Sequence, residues 1–151
     1  MIFQRIMHIH VLKKFSFQFF YLLPELTVLE NIYLPLWVKE KTALRINLYK
    51  KEAENLLQEF NLKDKKYSYP SQLSGGEMQR VAICRSLVCK PQIIFADEPT
   101  GNIDKDSARI LFDTIKYLNR EKKVTFVIAT HNENFLQLAT KVVYLKEGQI
   151  V

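Results

Sequence analysis

The pattern of apolar and polar positions predicts helices that alternate with strands. Apolar residues recur at helical spacing in 43–60 and in 105–119, so each stretch predicts an amphipathic helix. Two short, almost wholly apolar runs, 92–96 and 124–129, are typical of strands buried in a parallel sheet. The order strand, helix, strand predicts an α/β fold with a parallel sheet.

Capping and breaking residues set the limits of further elements. Ser74 and Glu77 have the spacing of a capping box, so a helix is expected to begin at Ser74 and to stop before Pro91. Pro24 ends an apolar run, and Thr27 is expected to cap a short helix. The remaining predictions are a strand-like run at 15–23, a polar loop at 63–72, a short helix at 133–139, and strands at 141–146 and 149–151 around a turn at 147–148. A helical subdomain is therefore inserted before the sheet resumes.

Composition narrows the class of protein. The net charge of +6 is mild and spread along the chain, which indicates a solvated basic surface, compatible with weak attraction to anionic lipid headgroups, and no nucleic-acid partner. Cys84 and Cys89 face different directions on a predicted helix, so neither a disulfide nor a metal site is indicated, which fits a reducing cytosol. No apolar run reaches the roughly 18 residues of a membrane span, and the run at 15–23 makes a poor signal peptide.

Two acidic residues, Asp97 and Glu98, directly follow the first apolar strand. They are expected at its carboxyl end, where open α/β sheets bind ligands. One carboxylate there can hold Mg²⁺, which prefers oxygen ligands, while its neighbour can polarise an attacking water. The pair alone is weakly specific, because many buried strands end in an acid.

The helix predicted to begin at Ser74 offers a place for an anion. Gly75 and Gly76 follow, so free backbone N–H groups are exposed without Cβ atoms in the way. The helix dipole adds about half a positive charge there. Taken alone, the same residues also fit an ordinary helix cap.

Other polar residues fall at the ends of predicted strands. His131 lies 33 residues after Glu98, just past the second apolar run, and Gln18 lies 56 residues before Ser74, just past the strand-like start of the run at 15–23. A lone histidine or glutamine is more often structural or solvated. Because the carboxyl ends of parallel strands share an edge, we expect these side chains at one edge of the sheet.

With these motifs in order, the sequence resembles the nucleotide-binding subunits of ABC transporters over about residues 15–151. LSGGEMQRVAICRSLV at 73–88 is similar to the family signature and its helix, and IIFADEPTGNID at 93–104 to the Walker B strand and D-loop. ATH at 129–131 is similar to the switch histidine, and FQFFYLLPELTVLENIYLPL at 17–36 to the Q-loop. The resemblance implies a P-loop NTPase fold of the ABC ATPase type, with a parallel core sheet and an inserted helical subdomain.

The resemblance implies roles for the residues at the sheet edge. Glu98 would be the general base that orients water toward the γ-phosphate, and Asp97 would hold Mg²⁺. Gln18 would sense Mg²⁺ and water and relay to the membrane subunit, and His131 would contact the γ-phosphate.

The signature and the D-loop would serve a second subunit. By the same resemblance, Ser74, Gly75 and Gly76 would clasp the γ-phosphate of ATP held on the opposite subunit. Gln79 counts among the nucleotide-binding residues, and Asp104 would cross the dimer interface. The resemblance thus implies a dimer in which one subunit completes the other's site.

The implied cofactors are ATP and Mg²⁺. The implied partners are a second ATP-binding subunit and an integral-membrane transporter subunit, contacted through the Q-loop and the helical subdomain. The chain would lie at the cytoplasmic face of the inner membrane as a peripheral subunit. Within the family, TGNID with LLPELTVLEN and LPL is most similar to the lipoprotein-releasing, LolD-like group. Macrolide-exporter and cell-division ATPases are the related alternatives, the latter usually with aspartate where this sequence has Phe19.

The resemblance divides the sequence into a Q-loop strand and Q-loop (about 1–23), a helical subdomain with the signature (about 24–90) and the C-terminal part of the α/β core (about 91–151). The family places N-terminal strands and a P-loop, or Walker A motif, before the Q-loop. None of the four glycines here fits its frame, Gly-x-x-x-x-Gly-Lys-Ser/Thr. We therefore expect that these 151 residues alone bind ATP weakly, hydrolyse none measurably and tend to aggregate.

Several alternatives stay open at this point. One is a non-catalytic module that lends its signature helix and its surface around 34–38 to a complete ATPase and a membrane subunit. A gene remnant and a wrongly assigned start are two others. A chromosome-maintenance or DNA-repair ATPase is disfavoured, since those proteins insert hundreds of coiled-coil residues where only 56 separate Gln18 from Ser74.

Overall fold

The computed structural model describes residues 22–40, 43–101 and 103–151. In these ranges the helices are α1 (Val28–Glu40), α2 (Ile46–Glu59), α3 (Gly75–Leu87) and α4 (Lys105–Lys122). The strands are β1 (Ile93–Asp97), β2 (Thr125–Ala129), β3 (Leu145–Lys146) and β4 (Gln149–Ile150), and short 3-10 turns cover Ala43–Arg45, Lys63–Lys65, Pro70–Gln72 and Glu133–Gln137. Gln18 and most of the strand-like run at 15–23 lie outside the described residues.

The strands β1 and β2 pair in parallel, and α4 connects them. Their register runs from Ile93 opposite Thr125 to Asp97 opposite Ala129. The predicted α/β class with a parallel sheet is confirmed. Because the two strands run the same way and end together, the residues after Asp97 and after Ala129 share one edge of the sheet.

The prediction that the second apolar run is fully buried is wrong. Phe126 and Ile128 of β2 pack against the core, whereas Thr125, Val127 and Ala129 on the other face are exposed. Side chains alternate between the two faces of a strand, and in the part of the chain that the structure describes no element covers the second face of β2. In the described residues this apolar run is therefore buried on one face only.

The three helices α1, α2 and α3 pack together, with α1 against both of the others. The first of them is longer than the short helix expected, at 13 residues, and contains Pro35. The cap predicted at Thr27 is confirmed, because Thr27 Oγ1 accepts from the backbone N–H of Glu30 at 3.3 Å. In return, the N–H and the hydroxyl of Thr27 donate to the carboxylate of Glu30, at 2.8 and 2.7 Å. Hydrogen bonds from Thr27 hold the pKa of Glu30 below its ordinary value. The helix expected over 43–60 is present as a 3-10 turn followed by α2.

Buried Asn31 fixes the segment that leads into α1. Its side-chain oxygen accepts from the N–H of Leu23 at 2.8 Å. Its amide nitrogen lies 3.0, 3.0 and 3.1 Å from the carbonyl oxygens of Leu23, Leu26 and Thr27. A buried amide with this many partners holds the turn at 23–27 against the helix.

Two lysines end the helices that lead into the parallel strands. Lys90 follows α3 with φ 50°, and Lys123 follows α4 with φ 56°. Both lie in the left-handed region, which turns the chain sharply and suits glycine better than lysine. The same kind of helix-to-strand connection therefore occurs twice.

The C-terminal part differs from its prediction. The helix expected at 133–139 is a 3-10 turn whose Phe135 is buried edge-to-face on Phe112, with ring centroids 4.7 Å apart. The strands expected at 141–146 and 149–151 shorten to β3 and β4, an exposed antiparallel hairpin. The turn predicted at Glu147-Gly148 is confirmed, with φ of 51° and 79°, the pair of positive values that a two-residue type I′ hairpin turn requires. None of the described helices is long and apolar enough to cross a bilayer.

Candidate functional site

A cluster of three polar residues lies where the parallel strands end. Thr130 Oγ1 donates to Glu98 Oε2 at 3.0 Å, and the backbone N–H of His131 donates to Glu98 Oε1 at 3.0 Å. The ring nitrogen Nδ1 of His131 lies 2.8 Å from the same Oε1. The structure thus joins Glu98 after β1 to His131 after β2, two residues that the sequence predicts at one edge.

The charge state of this cluster follows from its contacts. Burial raises the pKa of Glu98, but the hydrogen bonds from His131 and Thr130 outweigh it, so this pKa lies below its ordinary value. An ionised carboxylate only accepts hydrogen bonds, so Nδ1 of His131 must carry a proton, which leaves Nε2 for solvent or a ligand. With side chains 39% and 87% exposed, Glu98 and His131 are both accessible to water.

The backbone of Glu98 is strained. Its φ of 42° is left-handed, a conformation that costs a residue with a Cβ about 1–2 kcal/mol. Hydrogen bonds hold it there: the Glu98 N–H donates to the carbonyl of Ala129 at 2.8 Å, and its carbonyl accepts from the N–H of Gly101 at 3.0 Å. The chain therefore leaves β1 in a sharp turn that aims the carboxylate toward β2.

Sequence reasoning missed two neighbours of His131. Besides Thr130, Asn132 belongs to the cluster: its N–H donates to Thr130 Oγ1 at 3.0 Å and its Nδ2 donates to Thr100 Oγ1 at 3.1 Å. The bond to Thr100 ties the loop after β2 to the loop after β1. A run of three polar residues after an apolar strand was the available signal.

Asp97 is the last residue of β1 and is partly exposed. In the described residues no group of three or more His, Cys, Asp or Glu side chains is close enough to form a metal site. Mg²⁺ does not need one, because it often takes one or two carboxylates and fills its remaining positions with water and substrate phosphates. The single carboxylate of Asp97 fits that type of site.

The start of α3 forms the predicted capping box. Ser74 Oγ accepts from the N–H of Glu77 at 3.3 Å, and Glu77 Oε2 accepts from the N–H of Ser74 at 2.8 Å. The backbone hydrogen bond from Ser74 holds the pKa of Glu77 below its ordinary value, and Lys65 Nζ lies 3.3 Å from the same carboxylate. The Ser74 hydroxyl also contributes a hydrogen bond to the Glu77 carboxylate, so the side chains of Ser74 and Glu77 are joined within the cap.

The two glycines at this helix start have different surroundings. A Cβ on Gly75 would meet nothing within 4 Å, whereas a Cβ on Gly76 would lie 2.9 Å from Ser107 Oγ. Ser107 in turn donates from its hydroxyl and its N–H to the carboxylate of Asp104, at 2.7 and 2.9 Å. These bonds cap α4 and hold the pKa of Asp104 below its ordinary value. The starts of α3 and α4 therefore lie side by side.

Gln79 has its partner inside the chain. The side chain is only 5% exposed, and its Nε2 donates to the carbonyl of Pro99 at 3.1 Å. Its predicted role in nucleotide binding stays a prediction, as does that of Gln18, which lies outside the described residues.

Comparison with known proteins agrees with this fold. The family model described as ABC transporter matches residues 4–101, so the chain belongs to the ABC transporter family. It is 42% identical over 137 residues to the lipoprotein-releasing system ATP-binding protein LolD of Leptospira interrogans, covering 91% of this chain and 56% of that relative. It is 44% identical over 137 residues to an uncharacterised ABC transporter ATP-binding protein of Methanocaldococcus jannaschii, covering 91% of this chain and 59% of the relative.

Solved structures give the same result. A dimeric structure of the ATP-binding cassette MJ0796, in a post-hydrolysis state bound to ADP and Pi, matches with a TM-score of 0.77 and 38% identity. The match covers 92% of this chain and 61% of that one. The ABC ATPase fold and the likeness to the LolD-like group are confirmed, and the chain spans a little over half the length of these relatives.

Proposed function

We propose that the chain is part of an ATP-binding, ATP-hydrolysing subunit of an ABC transporter. The observation that carries this proposal is the cluster of Glu98, Thr130 and His131 at the carboxyl edge of β1 and β2. An ionised, accessible carboxylate there can accept a proton from water, and a histidine beside it presents a free ring nitrogen. Such an edge is where α/β sheets bind their ligands.

Phosphoryl transfer depends mainly on positioning and on stabilising charge. In this proposal Glu98 orients the attacking water toward the γ-phosphate and accepts its proton. His131 donates from Nε2 to the γ-phosphate while its Nδ1 donates to Glu98, so this contact uses the imidazolium form with a proton on each ring nitrogen. Thr130 and the backbone N–H of His131 keep the carboxylate ionised and fix its direction.

The metal expected with ATP is Mg²⁺. Asp97 would hold it, together with Gln18 from outside the described residues. When bound, Mg²⁺ neutralises charge on the β- and γ-phosphates.

The start of α3 serves the second subunit in this proposal. Ser74, Gly75 and Gly76 bind the γ-phosphate of ATP held by the partner copy. The open space over Gly75 at the start of the helix supports this role. Asp104 is proposed at the dimer interface; two of its hydrogen bonds are made to Ser107, and its carboxylate can accept more.

An integral-membrane partner is proposed to dock on the helical subdomain. Trp37 and Val38 at the end of α1 support this, because they are 46% and 55% exposed and large apolar side chains at a surface favour interfaces. The subunit would then work as a peripheral protein at the cytoplasmic face of the inner membrane. The relatives named LolD support lipoprotein release as the transported process, with macrolide export and cell division as the alternatives.

The replacement Glu98→Gln in the full-length gene product tests hydrolysis. It keeps the shape of the side chain and removes the base, so ATP turnover is expected to fall about 10²–10⁴-fold while ATP binding persists. The matched control is Glu133→Gln, an exposed glutamate on the 3-10 turn after His131, which should turn over ATP like the wild type. Wild-type turnover by Glu98→Gln would refute the assignment of Glu98.

Two further measurements separate the alternatives. A full-length protein that binds a membrane subunit but never hydrolyses ATP would support the non-catalytic module instead. Reconstitution with the neighbouring membrane subunits in vesicles tests the cargo: ATP-dependent release of a lipoprotein supports the LolD-like process, and its absence together with active ATP turnover would exclude it.

A further inference from the structure

Gln79 is a buried polar residue that links α3 to the turn carrying Glu98. Its amide nitrogen donates across 20 positions of sequence to the carbonyl of Pro99, the residue directly after Glu98. With 5% of its surface exposed, the side chain has little access to water, so loss of this bond would leave a buried polar group without a partner. The bond from Gln79 to Pro99 therefore stabilises the fold around these two residues.

The turn that Gln79 contacts needs support from outside itself. Glu98 is held at φ 42°, and its own carbonyl is occupied by the N–H of Gly101. Pro99 has no N–H to donate, so its carbonyl is the backbone group through which it can bond to other elements. A donor from α3 on that carbonyl fixes the turn relative to the helix.

A second contact lies on the same face of α3. Gly76 and Gln79 are three residues apart, so they point to the same side of the helix. Gly76 lies against Ser107, and Gln79 bonds to Pro99. One face of α3 therefore contacts the segment between Glu98 and the start of α4 at two places, Pro99 and Ser107.

We propose that Gln79 is a positioning residue that couples the base Glu98 to the signature residues Ser74–Gly76. Through Pro99 it makes the start of α3 and the turn of Glu98 move together, so that the half-site offered to a partner's ATP stays in register with the chain's own base. Its amide, already bonded inside the chain, acts on the nucleotide through this turn rather than by contact. This inference rests on the proposed function.

The replacement Gln79→Leu in the full-length gene product tests the coupling. The variant keeps much of the volume and removes the donor. We expect kcat for ATP hydrolysis to fall about 10-fold, the loss of roughly one hydrogen bond in the transition state, with KM for ATP within about 2-fold of the wild type. The matched control is Gln58→Leu, the same change at an exposed glutamine on α2, which should leave both constants unchanged.

Amide hydrogen exchange supplies a readout that a simple loss of helix stability would not give. The N–H of Gly101, bonded to the carbonyl of Glu98, should exchange about 10-fold faster in Gln79→Leu, while the amides within α3 keep their protection. Gln79→Met is a second variant with a flexible, donor-free side chain, and the same pattern is expected. If the full-length wild type hydrolyses no ATP, the proposed function fails. Hydrogen exchange at Gly101 then still tests whether the bond from Gln79 to Pro99 fixes the turn of Glu98.

Three results would overturn the inference. Unchanged kcat and unchanged exchange at Gly101 would show that the bond to Pro99 does not fix the turn of Glu98. Faster exchange throughout α3 would show a general structural role. Failure of both variants to fold would also show a general structural role for Gln79.

Discussion

The helical half of the described chain (22–90) and the sheet half (91–151) bury their apolar residues to different degrees. In the helical half, residues from α1, α2, α3 and the connection after α2 are at most 1% exposed: Val28, Ile32, Ala53, Leu57, Leu62, Val81 and Cys84. In the described part of the sheet half only Ile94 and Leu118 are buried as deeply, while Val127 is 48% exposed and the hairpin of β3 and β4 is exposed throughout. Three helices can cover one another, whereas a two-stranded sheet covered on one face leaves the other open. Stability is therefore expected to come mainly from the helical half.

The largest expected effect compares a buried apolar residue of the helical half with an exposed apolar residue of the sheet half. Ile32→Ala removes a fully buried side chain from α1 and should lower the free energy of unfolding by about 2–5 kcal/mol. Val127→Ala shortens a side chain on the open face of β2 and should cost no more than about 0.5 kcal/mol. Urea unfolding of the two variants measures both. Equal losses would contradict the contrast.

Two asparagines test the same contrast for polar groups. Asn31→Ala deprives buried groups of Leu23 and the turn before α1 of their partners, so a loss of about 1–3 kcal/mol is expected. Asn132→Ala breaks bonds to Thr100 and Asn134 at a partly exposed site, where water replaces them, and should cost less than about 1 kcal/mol. Thermal unfolding of both variants ranks them, and the reverse order would refute the comparison.

A third test lies where the halves meet. Gly76→Ala places a Cβ against Ser107 Oγ, which a hydrogen bond to Asp104 holds in place, so the helix start must shift at a cost of about 1 kcal/mol or more. Gly75→Ala enters open space and should be neutral or slightly stabilising, since alanine favours helix. Chemical denaturation separates them. A Gly76→Ala variant as stable as Gly75→Ala would show that α3 and α4 do not press on each other.

The smallest expected effects concern the stability of the fold at low pH. The pKa values of Glu77 in the helical half and Asp104 in the sheet half both lie below their ordinary values, because each caps a helix. A carboxyl group with a lowered pKa stabilises the fold above its unfolded pKa, about 4.3 for Glu and 3.9 for Asp, and loses that contribution as pH falls through the folded value. Glu77→Gln and Asp104→Asn should each flatten the fall of melting temperature between about pH 5 and pH 3. A slope unchanged from the wild type in both variants would contradict this.

Much of the fold follows from local chemistry in the sequence. Thr27 and Ser74 cap α1 and α3 as predicted, because a cap depends on residues three positions apart. The parallel pair of strands and the meeting of Glu98 with His131 follow from two apolar runs and what comes directly after each. These features need no knowledge of distant packing.

The remaining features depend on contacts between distant residues. Whether a face of β2 is buried depends on which other elements pack against it, and the apolar sequence of the strand does not contain that information. The bond from Gln79 to Pro99 and the approach of Gly76 to Ser107 join segments 20 to 31 positions apart. The signature motif marked Gln79 as important, but only the coordinates supply its partner.

The two left-handed lysines also restrict how this sequence can change over evolutionary time. Lys90 and Lys123 are exposed to water, and the exposed ion pair of Lys90 with Glu52 contributes little, so side-chain charge and size matter little at either position. Their backbone matters more, because glycine and asparagine adopt positive φ readily and valine or isoleucine resists it. Descendants of this sequence should therefore accept glycine or asparagine at these two surface positions while rejecting β-branched residues there.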